Sequence, residues 1–250
     1  MANSALPSMK RPWRFGSVFS GIGGIDLGLQ RAGMQCCWQI EISPFCTKVL
    51  TRHWPKVKRY GDICEVHGHE LEPVDLVCGG SPCEDISLAS GTGVGIVGAR
   101  SGLWSEFARI LGEVRPRFAL VENVPALRSR GLALVLQDLR ALGFDAEWHC
   151  VPASAFGAPH RRDRLFIVAY PESTSRRPII RGQAFSDVDG KPLVWAPISR
   201  EKRHAWAIEP GMVRMVYGVP NRVDRVATLG RAVVPQIAEW IGKKMRVNLR

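Results

Sequence analysis

The sequence predicts an α/β fold in which helices cover both faces of a mostly parallel sheet. Between residues 14 and 152, short apolar runs alternate with amphipathic stretches, and turns rich in Gly or Pro separate them. Alternation at this spacing is typical of parallel sheets, whose ligands bind at the carboxyl ends of the strands. Residues 171–209 lack such periodicity, so we expect a main domain over 12–170, a small irregular region over 171–216 and C-terminal helices over 217–250.

Local signals justify the individual elements. Ser43 and Pro44 supply a cap and a first-turn proline for a helix that ends near His53. Ser101 is expected to cap a helix that runs to Val114. In chain order, the other predicted strands span 15–19, 35–40, 74–78, 118–121, 146–151 and 165–169, and the other predicted helices span 25–31, 132–142 and 233–245.

Charge is distributed unevenly along the chain, whose formal net charge is +11. Residues 1–150 carry 16 basic and 15 acidic side chains, whereas residues 151–250 carry 18 basic and 8 acidic ones. An excess of this kind favours a polyanionic partner for the C-terminal part.

Composition excludes several classes of protein. Hydrophobic residues make up 46% and charged residues 23% of the chain, which is typical of a folded protein. No apolar run approaches the roughly 18 residues that span a bilayer, and the first fifteen residues lack the apolar segment of a secretory signal. The seven cysteines are odd in number and form no C-x-x-C pair, which indicates a reducing cytoplasm. We therefore expect a cytoplasmic protein that binds neither a membrane nor a metal.

A Gly-rich turn and two acidic residues predict a nucleoside site. Gly21, Gly23 and Gly24 follow the first strand, where glycines let a ligand approach backbone N–H groups. Glu41 ends the second strand, in a position suited to ribose hydroxyls, and Asp62 lies on the next loop, where it could accept a bond from an adenine amino group. The full dinucleotide pattern is absent, so these residues together indicate an adenosine site without a phosphate clamp.

A second group of residues predicts nucleophilic chemistry. Cys83 follows the strand at 74–78, and a thiolate there could attack an electron-poor ring carbon. Glu122 and Asn123 end the next strand, and Arg162 and Arg164 begin a later one. These side chains could converge on one bound base, although Asn123 could instead satisfy backbone groups.

Taken in order, these segments resemble the motifs of the DNA cytosine-C5 methyltransferases over about residues 15–245. The Gly-rich loop, Pro82-Cys83, Glu122-Asn123-Val124, Arg162-x-Arg164 and the segment 225–236 each match a family motif. The resemblance implies a Rossmann-like class I fold dependent on S-adenosylmethionine, with 171–216 as a small target-recognition region. It also implies that 225–236 packs back against the cofactor loop.

The resemblance implies a role for each matching residue. Cys83 would add to C6 of a flipped cytosine and Glu122 would hold its N3/N4 edge, while Arg164 would contact O2 and Arg162 would support Glu122 or a phosphate. The implied cofactor contacts are Phe19, Gly21, Ile22, Gly23, Gly24, Glu41, Ile42, Asp62, Ile63, Pro82, Arg231 and Val233. The DNA contacts expected from the resemblance and the basic C-terminal part are Ser87, Arg100, Arg176, Arg177, Arg181, Lys202 and Arg203.

The sequence departs from the family pattern at three positions. Glu84 and His160 each stand where the family commonly has Gln, and Arg231 stands where it nearly always has Asn. Arg231 could turn outward to solvent or phosphate, or it could hold the carboxylate of a carboxy-S-adenosylmethionine. In the second case the enzyme would be a carboxymethyltransferase.

The expected partner is double-stranded DNA, bound by a monomer in a bacterial or phage-infected cell, as in restriction–modification. A catalytically impaired DNA-binding relative remains an alternative because of Glu84 and Arg231. An RNA methyltransferase of the same fold is disfavoured, because the Cys-Phe-Thr element of the tRNA-modifying relatives is missing.

Overall fold

The computed structural model describes residues 11–81, 102–158, 160–172 and 232–248. Within these ranges seven strands and six α-helices are formed. The strands are β1 (Arg14–Val18), β2 (Gln35–Ile40), β3 (Lys58–Tyr60), β4 (Leu76–Gly80), β5 (Phe118–Asn123), β6 (Phe144–Pro152) and β7 (Asp163–Pro171). The helices are α1 (Gly24–Arg31), α2 (Pro44–His53), α3 (Leu103–Val114), α4 (Leu127–Arg130), α5 (Leu132–Ala141) and α6 (Pro235–Asn248).

All seven strands belong to one sheet with the order β3-β2-β1-β4-β5-β7-β6. Strands β1 to β5 pair in parallel, and β7 is antiparallel to both of its neighbours. The chain moves outward from β1 through β2 to β3 and then returns to the other side of β1 as β4. This reversal places the loops that follow β1 and β4 next to each other at the carboxyl edge of the sheet, where α/β proteins bind their ligands.

The sheet has one hydrophobic core on each face, because successive side chains of a strand point to opposite sides. Phe118 and Leu120 of β5 face the helices α1 and α6, whereas Ala119 and Val121 face α3 and α5. The α/β fold with a mostly parallel sheet, predicted from the alternation, is confirmed.

Helix α6 docks against α1 at very short range. A Cβ atom built on Gly28 of α1 would lie 2.4 Å from the carbonyl oxygen of Pro235 and 2.6 Å from the Cβ atom of Ala238. Arg246 at the far end of α6 donates a hydrogen bond of 2.6 Å to the carbonyl oxygen of Ala32. The C-terminal helix is therefore held against the helix that follows the Gly-rich loop.

One sequence prediction for the fold is wrong, one strand was missed, and two predicted regions stay untested. The predicted Ser101 cap is wrong, because α3 begins at Leu103 with an extended Gly102 as its cap residue. Strand β3 was missed, since three residues at a charged sheet edge carry no hydrophobic alternation. The region 171–216, except for its first two residues, and the segment 217–231 lie outside the described residues.

None of the helices in the described ranges is both long enough and apolar enough to cross a membrane.

Replacing Gly28 by Ala should destabilise the protein, because the new methyl group would overlap the backbone of α6. Gly112→Ala is the matched control: its Cβ would lie 3.2 Å from the flexible end of Leu142, and alanine improves helix propensity. In urea unfolding followed by circular dichroism, Gly28→Ala should lower the free energy of unfolding by about 2 kcal/mol or more. Gly112→Ala should stay within about 1 kcal/mol of the starting protein. Equal midpoints for the two variants would contradict the close packing of α1 on α6.

Candidate functional site

The Gly-rich loop leaves β1 through an unusual backbone. Phe19, Gly21 and Gly23 have φ angles of 50°, 56° and 83°, a region that favours glycine. A Cβ built on Gly21 would meet no described residue within 4 Å, whereas one on Gly23 would lie 2.5 Å from the ring of Trp54. The loop is therefore closed on the side of Trp54 and open at Gly21, where a ligand can approach the backbone.

Glu41 joins this loop to the start of α2. One carboxylate oxygen of Glu41 accepts a hydrogen bond from the Gly21 N–H at 2.7 Å, and the other accepts one from the Ser43 N–H at 2.8 Å. The sequence-predicted cap is confirmed, since the Ser43 side chain accepts a hydrogen bond from the Cys46 N–H. Glu41 and the Gly-rich loop, whose Gly21 lies 20 residues earlier in the sequence, are thus in direct contact.

The loop after β3 carries Asp62 and Ile63 of the expected cofactor contacts, and Ile42 follows Glu41 after β2. The Asp62 carboxylate accepts a hydrogen bond from the Cys64 N–H at 2.9 Å and caps a 3₁₀ turn over Ile63–Glu65. Ile63 is buried, whereas the Ile42 side chain is 68% exposed beside Glu41. An exposed isoleucine beside the Glu41 carboxylate offers an apolar surface for a nucleoside base.

Arg109 supports this loop, a role that sequence reasoning missed. Its guanidinium donates hydrogen bonds to the carbonyl oxygens of Ile63 and Val66 at 2.8 and 2.9 Å, and it forms ion pairs with Glu106 and Glu113 on its own helix. The spacing of Arg109 from both acids indicated a helical ion-pair pattern, but its contact with residues more than 40 positions earlier depends on tertiary packing.

Glu122 lies at the carboxyl end of β5, opposite Gly80 of β4. Its side chain is nearly buried and forms an ion pair of 3.0 Å with the Nε atom of Arg164. A Cβ on Gly80 would lie 2.5 Å from a Glu122 carboxylate oxygen, so the glycine leaves room for the carboxyl group. Burial raises the pKa of Glu122 to about 7, although the charges of Arg164 and Arg162 lower it in part.

Asn123 anchors the backbone that leads toward Pro82-Cys83. Its side-chain nitrogen donates to both the carbonyl and the hydroxyl oxygen of Ser81 at 3.1 Å, and its oxygen accepts from the Val124 N–H at 2.8 Å. These contacts confirm the interpretation of Asn123 as a residue that satisfies backbone groups.

The two arginines have different partners. Arg164 forms the ion pair with Glu122, and the positive charge of Arg162 also acts on this carboxyl. The expected roles of Arg164 at O2 of the base and of Arg162 at Glu122 or a phosphate stay predictions. Arg162 donates a hydrogen bond of 2.6 Å to the carbonyl oxygen of Ala232 and has a φ of 34°. The reason is positional: Arg164 lies inside β7, beside β5, whereas Arg162 precedes the strand and reaches the C-terminal segment.

That C-terminal segment also contacts the Gly-rich loop. A Cβ on Gly24 would lie 2.4 Å from the carbonyl oxygen of Val233, which is itself buried. Val233 therefore lies against the first residue of α1, next to Ala232 and Arg162. The described part of the motif packs onto the loop as the resemblance implied.

Several expected site residues lie outside the described residues. They are Pro82, Cys83, Glu84, Ser87, Arg100, Arg176, Arg177, Arg181, Lys202, Arg203 and Arg231. Among the described residues, no three His, Cys, Asp or Glu side chains form a group that could hold a metal ion.

The burial of Glu122 should make the stability of the protein depend on pH. Its carboxyl loses its proton at lower pH when unfolded than when folded, so folding stability falls as pH rises from about 4.5 to about 7. Glu122→Gln removes this dependence. The difference in free energy of unfolding between Glu122→Gln and the starting protein should therefore be about 2 kcal/mol more favourable to the variant at pH 8 than at pH 5. Urea unfolding at both pH values measures this difference, with the exposed Glu65→Gln as the matched control. An equal change at the two pH values would contradict the raised pKa.

Comparison with known proteins identifies relatives of bacterial origin. A model of the family described as C-5 cytosine-specific DNA methylase matches residues 13–196. Type II methyltransferase M2.BsuMI of Bacillus subtilis (strain 168) is 37% identical over 188 residues, which cover 71% of this chain and 47% of that protein. Type II methyltransferase M.HpaII of Haemophilus parainfluenzae is 30% identical over 78% of this chain and 55% of its own length. The chain spans about half the length of the curated relatives it matches.

Solved structures agree with the fold. A crystal structure of a mutant of Spodoptera frugiperda DNMT2 superposes with a TM-score of 0.57 and 18% identity, covering 68% of this chain and 53% of that one. The sheet is thus that of the class I methyltransferase fold. The family model matches most of this chain, including the segments that carry the Gly-rich loop and Glu122. The chain therefore belongs to the C-5 cytosine-specific DNA methylase family.

Proposed function

We propose that this chain transfers a methyl group from S-adenosylmethionine to C5 of cytosine in double-stranded DNA. The observation that carries the proposal is the buried Glu122 carboxyl, with a pKa of about 7, on the strand beside the one that leads to Cys83. Two bacterial relatives are named type II methyltransferases, which supports DNA as the substrate.

The residues around the Gly-rich loop fit S-adenosylmethionine. Gly21 borders open space, and Glu41 uses one lone pair of each carboxylate oxygen for backbone N–H groups, which leaves others for ribose hydroxyls. Asp62 and the exposed Ile42 could hold the adenine, with Phe19, Ile22, Gly23, Gly24, Ile63, Pro82 and Val233 completing the site. Bound S-adenosylmethionine supplies an electrophilic methyl carbon on a sulfonium.

Glu122 is suited to the edge of a cytosine. A protonated carboxyl offers one donor and one acceptor, which match the N3 acceptor and the N4 amino donor of the base. With a pKa of about 7, Glu122 keeps a substantial protonated fraction at neutral pH and can share its proton with N3. Arg164 orients the carboxyl through their ion pair.

Cys83 would act as the nucleophile. Its thiolate adds to C6 of the flipped cytosine, and the electron pair of the C5–C6 bond becomes available at C5. Transfer of the methyl group to C5 would break its bond to the sulfonium sulfur and leave S-adenosylhomocysteine. A base would then remove the C5 proton, and the bond between C6 and the Cys83 sulfur would break, so that the ring regains its double bond and the thiolate is released.

Cys83→Ala should abolish methyl incorporation into duplex DNA, lowering the rate by roughly 10³-fold or more, because no other step supplies the C6 adduct. The exposed Cys64→Ala is the matched control and should retain the rate. Duplex DNA that contains 5-fluorocytosine should be trapped covalently by the starting protein and not by Cys83→Ala. If the starting protein forms neither methylated base nor adduct, the chain is an impaired DNA-binding relative.

A second candidate function is carboxymethyl transfer from carboxy-S-adenosylmethionine. The observation that favours it is Arg231, which immediately precedes Ala232 and Val233, the residues in contact with Arg162 and Gly24. A guanidinium at this position would meet a positively charged sulfonium, and an added carboxylate on the donor would offset that repulsion.

Competition between equal concentrations of the two donors tests this second candidate, with the modified base weighed by mass spectrometry. Carboxymethyl transfer predicts mainly 5-carboxymethylcytosine, and Arg231→Asn should shift the product ratio toward 5-methylcytosine by about tenfold, as expected for the loss of a charge-assisted pair. Preferential methylation that Arg231→Asn leaves unchanged would rule out the carboxymethyl reaction.

A further inference from the structure

A series of hydrogen-bonded, buried polar side chains lies next to the Gly-rich loop and begins at Asp26 in the first turn of α1. The Asp26 side chain is 0% exposed. One carboxylate oxygen accepts a hydrogen bond from the Ser17 hydroxyl at 3.1 Å, and the other accepts one from the Gln39 side-chain nitrogen at 2.8 Å. A buried carboxylate requires such donors, so Asp26 ties the start of α1 to β1 and β2.

Arg59 of β3 determines how Gln39 is oriented. The Gln39 carboxamide is fully buried, and its oxygen accepts a hydrogen bond from the Nη1 atom of Arg59 at 3.3 Å. An amide held by its oxygen in this way must present its NH₂ group on the other side, toward Asp26. Arg59 therefore acts on the first turn of α1 through one intermediate side chain.

The same Nη1 atom of Arg59 supports the loop by a second route. It donates a hydrogen bond of 2.8 Å to the carbonyl oxygen of Trp54, at the end of α2. The Trp54 ring packs against Gly23, and its Nε1 atom donates to the Gln30 side chain of α1 at 3.0 Å. One nitrogen of Arg59 thus bonds both to Gln39, which holds Asp26, and to Trp54, which packs against the Gly-rich loop.

The strand that carries Arg59 also adjoins both acidic residues of the proposed cofactor site. The carbonyl oxygen of Tyr60, the next residue, accepts a hydrogen bond from the Glu41 N–H at 3.0 Å. Asp62 follows two positions later. Arg59 therefore lies close to the three elements that would surround the adenosine of the cofactor. These are the Gly-rich loop, the residue Glu41 after β2 and the loop that carries Asp62.

We propose that Arg59 is a positioning residue for the cofactor site, which holds the Gly-rich loop in its binding conformation through Gln39–Asp26 and through Trp54–Gly23. This inference rests on the proposed function, because it concerns the site proposed for S-adenosylmethionine. The Arg59 guanidinium bonds to Gln39 and to the Trp54 carbonyl, so its effect should fall on cofactor binding and leave the chemical step unchanged.

A purely structural role predicts a different result. Loss of folded protein lowers the concentration of active sites, which lowers the apparent kcat and leaves KM unchanged. A displaced cofactor loop raises the KM and Kd for S-adenosylmethionine and leaves both kcat at saturating cofactor and KM for DNA unchanged.

Three variants separate these roles. Arg59→Met keeps the aliphatic stem and removes the donor, whereas Arg59→Lys restores a single nitrogen that can serve both acceptors. Arg14→Met is the matched control: Arg14 is also partly buried on the same sheet, but it lies at the amino end of β1 and bonds to Glu72 and Cys37.

The experiment measures Kd for S-adenosylmethionine by calorimetry, and KM and kcat on duplex DNA, each below the melting temperature of the variant. Arg59→Met should raise Kd and KM for the cofactor about tenfold, Arg59→Lys about threefold or less, and Arg14→Met less than about twofold. Should Arg59→Met melt below the assay temperature, Arg59→Gln takes its place with the same expectation. Unchanged cofactor constants in the Arg59 variants, or equal effects of Arg14→Met, would overturn the inference and leave the proposed function intact. Absence of cofactor binding by the starting protein would instead overturn the proposed function.

Discussion

The carboxyl ends of β1, β2, β4 and β5 lie along one edge of a single, mostly parallel sheet, and every part of the candidate site depends on this constraint. Because the strand order reverses at β1, the Gly-rich loop and the segment that leads to Cys83 emerge side by side. The two acids at the ends of β2 and β5, Glu41 and Glu122, then face opposite parts of the same site. We propose that the first binds a nucleoside and the second a base, although 81 positions separate them in the sequence.

The two buried carboxyl groups of the site region are stabilised in different ways. Asp26 is surrounded by donors: burial raises its pKa, but hydrogen bonds from Gln39, Ser17 and Cys36 oppose the shift. Glu122 has an ion pair with Arg164, yet burial still raises its pKa to about 7. The first arrangement favours a fixed support for α1, and the second favours a group whose proton can be shared. Such a group costs folding stability at neutral pH, which is common at functional sites.

Sequence reasoning succeeded where the signal is local. The Ser43 cap, the glycines after β1 and the acid 20 residues later all follow from rules that act over one turn or one strand, and the structure has each of them. It failed at β3, whose three residues show no periodicity. Nor did it assign the ion pair between Glu122 and Arg164, which depends on antiparallel pairing between β5 and β7. It also missed Arg59 and Arg109, because their acceptors are distant backbone or amide groups that no spacing rule connects to them.

The sequence by itself determined the fold class, the order of the motifs and the residues proposed to act on a cytosine, because these depend on periodicity, turn residues and functional groups. Only the tertiary structure decided which arginine pairs with Glu122, how strongly burial raises its pKa, and how Arg59 reaches α1 through Gln39 and Trp54. The physical reason is that a hydrogen bond or an ion pair depends on distances of about 3 Å between groups far apart in the chain. Such distances exist only after the sheet and its helices have packed.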